Sequence, residues 1–209
     1  MLNMAPNIVS NELAKLFPNA SCELDYRNVY ELSVAVILSA QTTDKSVNKV
    51  TPKLFEKYPD LDHLASANIQ DVERIIQAIG LYKRKSIYII EFARFIINEY
   101  HGIIPNTIEE LIKVPGIGRK TANVIVSEGY KLPGFAVDVH VTRVSNRLGL
   151  VNTTDPNKIE MILKELFPKD EWHIMHHRLI FMGRYLCKAQ KPECNRCPFI
   201  NKCLYDKKS

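Results

Sequence analysis

The sequence lacks any apolar run long enough to cross a bilayer. Its longest, at residues 34–38 and 87–90, fall far short of the roughly 20 residues that a spanning helix needs. No basic start followed by an apolar core marks the N-terminus as a signal peptide. These two absences predict a cytoplasmic protein with no membrane partner. No sustained alternation of apolar and polar residues suggests a strand, and no low-complexity segment or long linker interrupts the chain. Cysteine is nearly missing from the first 186 residues, where Cys22 stands alone, and the other four crowd between Cys187 and Cys203. An odd number without a secretion signal argues against a disulfide framework and for a reduced compartment. Net charge is only +5, a weak hint of a polyanionic partner, because many ordinary enzymes are as basic.

What is present is helical periodicity. Leu32, Val36 and Ile37 with Ser39 and Ala40 fit one buried helix, and Val72, Ile75, Ile76 and Ile79 fit another. Ile89, Ile90, Ala93, Ile96 and Ile97 continue the pattern, as do Val141, Val144 and Leu148. Prolines punctuate the joints, so nine or ten short helices are expected. Pro52 is expected in the first turn of a helix or at a kink. At 209 residues the chain can bury one large core or two small ones. Aligning Gly80 with Gly116 reveals an internal echo: a short helix, a glycine turn, then a basic helix start. Two copies are too few for a solenoid.

Residues 114–123 read Val-Pro-Gly-Ile-Gly-Arg-Lys-Thr-Ala-Asn. Pro115 ends the preceding helix, while Gly116 and Gly118 can take positive φ and admit close approach of a ligand. A helix starting near Gly118 adds unsatisfied amides and the positive end of its dipole, which together suit one phosphate. Val114 and Ile117 complete a pattern that resembles the helix-hairpin-helix motif of DNA-binding proteins. Such a motif grips the backbone without reading sequence. Lys120 falls in the first helical turn beside Arg119, where a second positive charge is disfavoured and a nucleophilic amine is favoured. A lysine that only contacts phosphate is the alternative. Asp138 precedes the expected helix 139–148 and suits an N-cap. An acid close to a phosphate grip is electrostatically unwelcome unless it has a task, such as stabilising positive charge on a sugar whose base departs.

The terminal cysteines follow the spacing Cys187-x6-Cys194-x2-Cys197-x5-Cys203. Four thiolates satisfy either a structural zinc or a [4Fe–4S] cluster. Zinc sites usually pair two short knuckles, and only Cys194 and Cys197 form one, so a cluster wrapped by a continuous loop fits better. Arg184, Lys188, Lys191, Arg196 and Lys202 lie around it and could offset its charge, and Lys188 and Lys191 could instead face a phosphate backbone.

Taken in register, the motifs resemble the endonuclease III family of DNA glycosylases with lyase activity. They are Leu-Ser-Ala-Gln-Thr-Thr-Asp at 38–44, Gly-Leu-Tyr at 80–82, the hairpin ending in Lys120, Val-Asp-Val-His at 137–140, and the cysteine terminus. The resemblance runs over nearly the whole chain. It implies an all-α, two-domain fold with a DNA-binding cleft between a six-helix domain and an iron–sulfur cluster domain. The six-helix domain is expected at 22–132, with its hairpin at about 107–130. The other domain joins 1–21 to 133–209, with the cluster loop at 187–203. By resemblance, Lys120 attacks C1′ of a damaged nucleotide, Asp138 assists, and β-elimination cuts the strand 3′ to the lesion. Gln41 and Leu81 fill the space that the flipped nucleotide vacates, and Val114, Gly116, Ile117, Gly118, His140 and Lys191 contact DNA. Cys187, Cys194, Cys197 and Cys203 hold a [4Fe–4S] cluster. The implied partner is double-stranded DNA carrying oxidised pyrimidines or abasic sites, bound by a monomer associated with the nucleoid in a bacterium.

Two departures bear on substrate preference rather than reaction class. Val139 stands where the family commonly has threonine, and Gly129 lies in the helix after Lys120. A monofunctional mismatch-adenine glycosylase is one rival reading, although such relatives generally lack a lysine at this position and often carry a further C-terminal domain. A non-catalytic hairpin protein that senses redox state is another, and it would not need Asp138. His176, His177, Trp172 and Cys22 are expected to be structural.

Overall fold

The computed structural model describes residues 4–206, and among these every regular element is helical. In chain order the α-helices are α1 (Pro6–Leu16), α2 (Val29–Leu38), α3 (Asp44–Lys57), α4 (Leu61–Ala65), α5 (Ile69–Ile76) and α6 (Tyr82–Tyr100). They continue with α7 (Ile108–Leu111), α8 (Arg119–Val124), α9 (Val139–Arg147), α10 (Pro156–Leu166) and α11 (Trp172–Phe181). Two π-helical segments, Ile125–Gly129 and Met182–Leu186, extend α8 and α11. The all-α expectation is met. The helices outnumber the nine or ten expected because α4 and α7 have only five and four residues, too few to show a period. None of the described helices is long and apolar enough to cross a membrane.

The chain divides into two compact units. One is Glu23–Leu132; the other joins Met1–Cys22 to Pro133–Ser209. Within the first, α2 is buried along Tyr30–Leu38 and packs against α3, α6, α8 and the first π segment. A helix that is apolar all round must be surrounded in this way. Local polar residues set where the helices start: the side chains of Asn28, Thr43, Asp60, Asn68 and Thr107 all accept backbone N–H bonds as N-caps. Pro52 is neither in a first turn nor at an end; it lies inside α3. A Cβ on Gly129 would come within 3.2 Å of Leu32 and 3.3 Å of Val29, so this glycine lets the π segment lie close on α2.

In the second unit, Val9 and Leu13 of α1, Val141 and Val144 of α9, Ile159 and Leu163 of α10, and Met175 and Leu179 of α11 meet around Phe135 and Phe167. Each fully buried side chain of this size stabilises by roughly 1.5–3 kcal/mol. His176 and His177 are buried here and their rings lie 3.9 Å apart, in keeping with a structural role. Trp172 is half-buried against this core and its Nε1–H donates to the Phe167 carbonyl at 2.9 Å.

Candidate active site

The glycine-rich hairpin lies in the first unit, between α7 and α8. The Val114 amide donates to the Leu111 carbonyl at 3.1 Å, and the Ile117 amide to the Val114 carbonyl at 3.1 Å, so the chain reverses within a few residues. Gly116 takes φ +80°, and a Cβ there would lie 3.2 Å from Tyr88 Cβ. The conformation favours glycine, and a side chain would also crowd Tyr88. Gly118 differs from expectation: as the N-cap of α8 its φ is −93°, which any residue can adopt. Nothing lies within 4 Å of where its Cβ would be. Its lack of a side chain therefore leaves room on the outside of the hairpin. No side chain caps α8, so the first-turn amides keep the outward aim of any helix start. Val114 and Ile117 bury their side chains, leaving only backbone to meet a ligand. Arg119 and Lys120 are exposed in that first turn.

Two other turns of the same unit carry residues in the left-handed region. Gln41 has φ 54° between α2 and α3, and Leu81 has φ 60° as the N-cap of α6. A bulky non-glycine residue held there costs on the order of 1–3 kcal/mol and persists only where the surroundings impose it. Leu81 is 55% exposed, so little burial offsets that strain. The echo between residues 80 and 116 extends to a helix, a turn and a helix in both places, but the left-handed residue is Leu81 in one and Gly116 in the other.

Asp138 belongs to the second unit and caps α9. Its Oδ1 accepts the amides of His140 and Val141, both at 2.8 Å. Two bonds to one oxygen fix the carboxylate and leave Oδ2 outside the cap. Val139, next to it, is 72% exposed. His140 Nδ1 lies 3.2 Å from Arg143 Nη2. Burial lowers the His140 pKa, and Arg143 adds to this against the opposing pull of Asp138. The imidazole backs onto Gly183: a Cβ at position 183 would sit 2.7 Å from His140 Cβ. Because His140 Cβ is fixed to the backbone, no rotamer change relieves that contact. Gly183→Ala is therefore expected to lower stability by about 1–3 kcal/mol, read as a drop in thermal midpoint. An unchanged midpoint would show that α9 and the second π segment can move apart freely.

All four terminal cysteines line one apolar cavity with Leu148, Met182, Leu186 and Ile200. Burial raises the pKa of the Cys197 thiol, and the three neighbouring cysteines add to the rise. The Phe199 amide opposes that rise, and N–H groups point at two further sulfurs: Arg147 Nη1 reaches Cys187 Sγ at 3.3 Å and the Tyr205 amide reaches Cys203 Sγ at 3.5 Å. Arg147 also donates to the Lys188 carbonyl at 2.9 Å, and its guanidinium lies 3.8 Å from the centre of the Tyr205 ring. One turn earlier on α9, Arg143 donates to the carbonyls of Cys187, at 3.2 Å, and Gly183, at 2.8 Å. Arg147 is a cation at the cysteines that sequence reasoning missed. Its i, i+4 spacing from Arg143 was the available signal. Two of the expected cations, Lys188 and Arg196, instead pair with Glu193 at 2.8 and 2.6 Å. Lys191 is exposed in the same loop with φ 49°.

An all-helical chain with a glycine hairpin, a capped aspartate and a four-cysteine terminus defines a class, and comparison with known proteins gives the same class. The description "HhH-GPD superfamily base excision DNA repair protein" matches residues 34–169. Endonuclease III of Bacillus subtilis is 45% identical over 194 residues, covering 92% of this chain and 89% of that protein. Endonuclease III of Synechocystis is 44% identical over 192 residues, with 91% and 88% covered. The solved structure of a trapped endonuclease III–DNA covalent intermediate superposes with a TM-score of 0.92 at 46% identity, covering 96% of each chain. A non-covalent endonuclease III–DNA complex gives the same TM-score, identity and coverage. The chain belongs to the endonuclease III family.

Proposed function

We propose that this protein is a bifunctional DNA glycosylase and abasic-site lyase of base excision repair, acting on oxidised pyrimidines in double-stranded DNA. The observation that carries the reading is an exposed Lys120 in the first turn of a helix with no side-chain cap, directly after a glycine hairpin. In this reading the outward amides near Gly118 hold one backbone phosphate, which brings C1′ of the adjoining nucleotide to the lysine. The target nucleotide leaves the stack, which costs a few kcal/mol and least for a damaged base. Gln41 and Leu81, presented by their left-handed turns, fill the space. The Lys120 amine attacks C1′ and forms the C–N bond as the base departs with the glycosidic electron pair and takes up a proton. Asp138 offsets positive charge on the sugar and helps the lysine into its reactive form. The sugar ring opens to an imine, the imine acidifies C2′–H, and loss of that proton expels the 3′ phosphate. DNA is the polyanion that the net charge of +5 hinted at, and the compartment holding the chromosome is the place of action.

We also infer that Cys187, Cys194, Cys197 and Cys203 hold a [4Fe–4S] cluster. Among the described residues no three of their sulfurs lie within 4.8 Å of one another. Ligands of a tetrahedral zinc, with Zn–S of about 2.3 Å, stand only about 3.8 Å apart. The apolar cavity and the N–H groups aimed at Cys187 and Cys203 suit thiolates on a larger core. What a bound cluster supplies is four covalent tethers on an otherwise irregular loop. The purified protein is expected to be coloured and to contain about four irons per chain; a colourless protein with one zinc would contradict this.

The test of the activity is borohydride reduction during reaction with a duplex containing thymine glycol, an oxidised pyrimidine. Hydride adds to the imine carbon and leaves protein and DNA joined by a stable amine. The expected result is a covalent adduct of protein and nicked strand. Release of free base without any adduct would mean that water, not lysine, attacks the sugar.

A further inference from the structure

Lys85 is 3% exposed, in the first turn of α6. A lysine ammonium is seldom buried without a carboxylate, yet among the described residues Thr42 is its one polar partner. Nζ donates to Thr42 Oγ1 at 2.5 Å. The backbone amide of the same residue donates to the Leu81 carbonyl at 3.0 Å. Lys85 therefore holds the Leu81 turn at one end and, through its side chain, the residue after Gln41 at the other. These turns hold two of the five left-handed non-glycine residues among the described positions. Burial, with no opposing charge, pushes the Lys85 pKa down. An apolar side chain of similar length would fill the space without that penalty, so core packing does not explain the residue.

We propose that Lys85 is a positioning residue that ties the Gln41 turn to the Leu81 turn and fixes the spacing at which the two side chains enter DNA. The proposal rests on the reading of Gln41 and Leu81 as the insertion pair. Without the tie, the 39–43 turn loses its hold on α6 and Gln41 no longer enters in concert with Leu81. The loss falls on a nucleotide that must be unstacked and unpaired. An abasic nucleotide has no base to extract, so its cleavage depends less on the pair.

Single-turnover rates at saturating full-length protein test this, using a thymine glycol duplex and the same duplex with a preformed abasic site. Lys85→Met is expected to lower the ratio of base removal to abasic-site cleavage by about tenfold. Thr42→Val should lower the same ratio, and Thr42→Ser, which keeps the accepting oxygen, should retain the wild-type ratio. Adding Thr42→Val to Lys85→Met should lower it no further, because both remove one bond. 2-Aminopurine placed beside the lesion should show weaker unstacking on binding in both deficient variants. A ratio unchanged in Lys85→Met, whether both rates fall together or neither does, would make Lys85 an ordinary part of the fold. A neutral Thr42→Val would equally overturn the proposal, and its half-exposed position keeps that variant folded. Wild-type protein inactive on both duplexes would instead remove the proposed function, and the tie with it.

Discussion

Lys120→Ala is expected to give no borohydride-trapped adduct at all and to lose at least about a thousandfold in base removal. The size of the effect follows from the absence of a substitute. Arg119, next to Lys120 on α8, stays protonated and cannot attack carbon. The variant separates chemistry from folding because Lys120 is exposed and alanine is the best helix former, so stability should move by no more than about 0.5 kcal/mol. DNA affinity should fall modestly, by the one phosphate-directed charge removed. Adduct formation at the wild-type level would transfer the nucleophile to another amine and leave Lys120 as a phosphate contact.

Asp138→Asn should bind damaged DNA as well as wild type, or more tightly, while losing about 10²- to 10⁴-fold in rate. Asparagine is as good an N-cap as aspartate, so its side-chain oxygen can still accept the His140 and Val141 amides that Oδ1 accepts now. The fold of α9 survives, and only the negative charge is lost. Removing that charge near a polyanion favours binding. A large loss of rate alongside undiminished affinity and an unchanged thermal midpoint assigns Asp138 to the chemistry. A rate within twofold of wild type would reduce it to a cap.

Features set by neighbouring residues were legible in the sequence. The α8 start at Gly118 and the Asp138 cap follow from residues within one turn of each other. The buried α2 and the four-cysteine spacing each follow from residues in a single short stretch of chain. What stayed hidden depends on residues far apart in the chain. The left-handed turns at Gln41 and Leu81 carry no glycine signal at the residue itself, and the bond between Lys85 and Thr42 spans 43 positions. The reach from Arg147 to Cys187 spans 40. Of the two places expected for Pro52, its position inside α3 excludes the first turn. At Gly118 only one of the two glycine properties is used: open space outside the hairpin, not positive φ.

The discontinuous unit has a consequence for synthesis. Residues 23–132 are contiguous, so that unit can fold as soon as it leaves the ribosome. Helix α1 cannot do likewise, because the partner it packs against, α11, emerges some 160 residues later. At about 5–20 residues per second, Val9 and Leu13 wait roughly 8–30 s with their apolar faces uncovered. In that interval α1 is a short amphipathic segment tethered to a folded neighbour, and a chaperone or a second nascent chain could capture it. Helix α1 is made well before α11 and finds its place only after it.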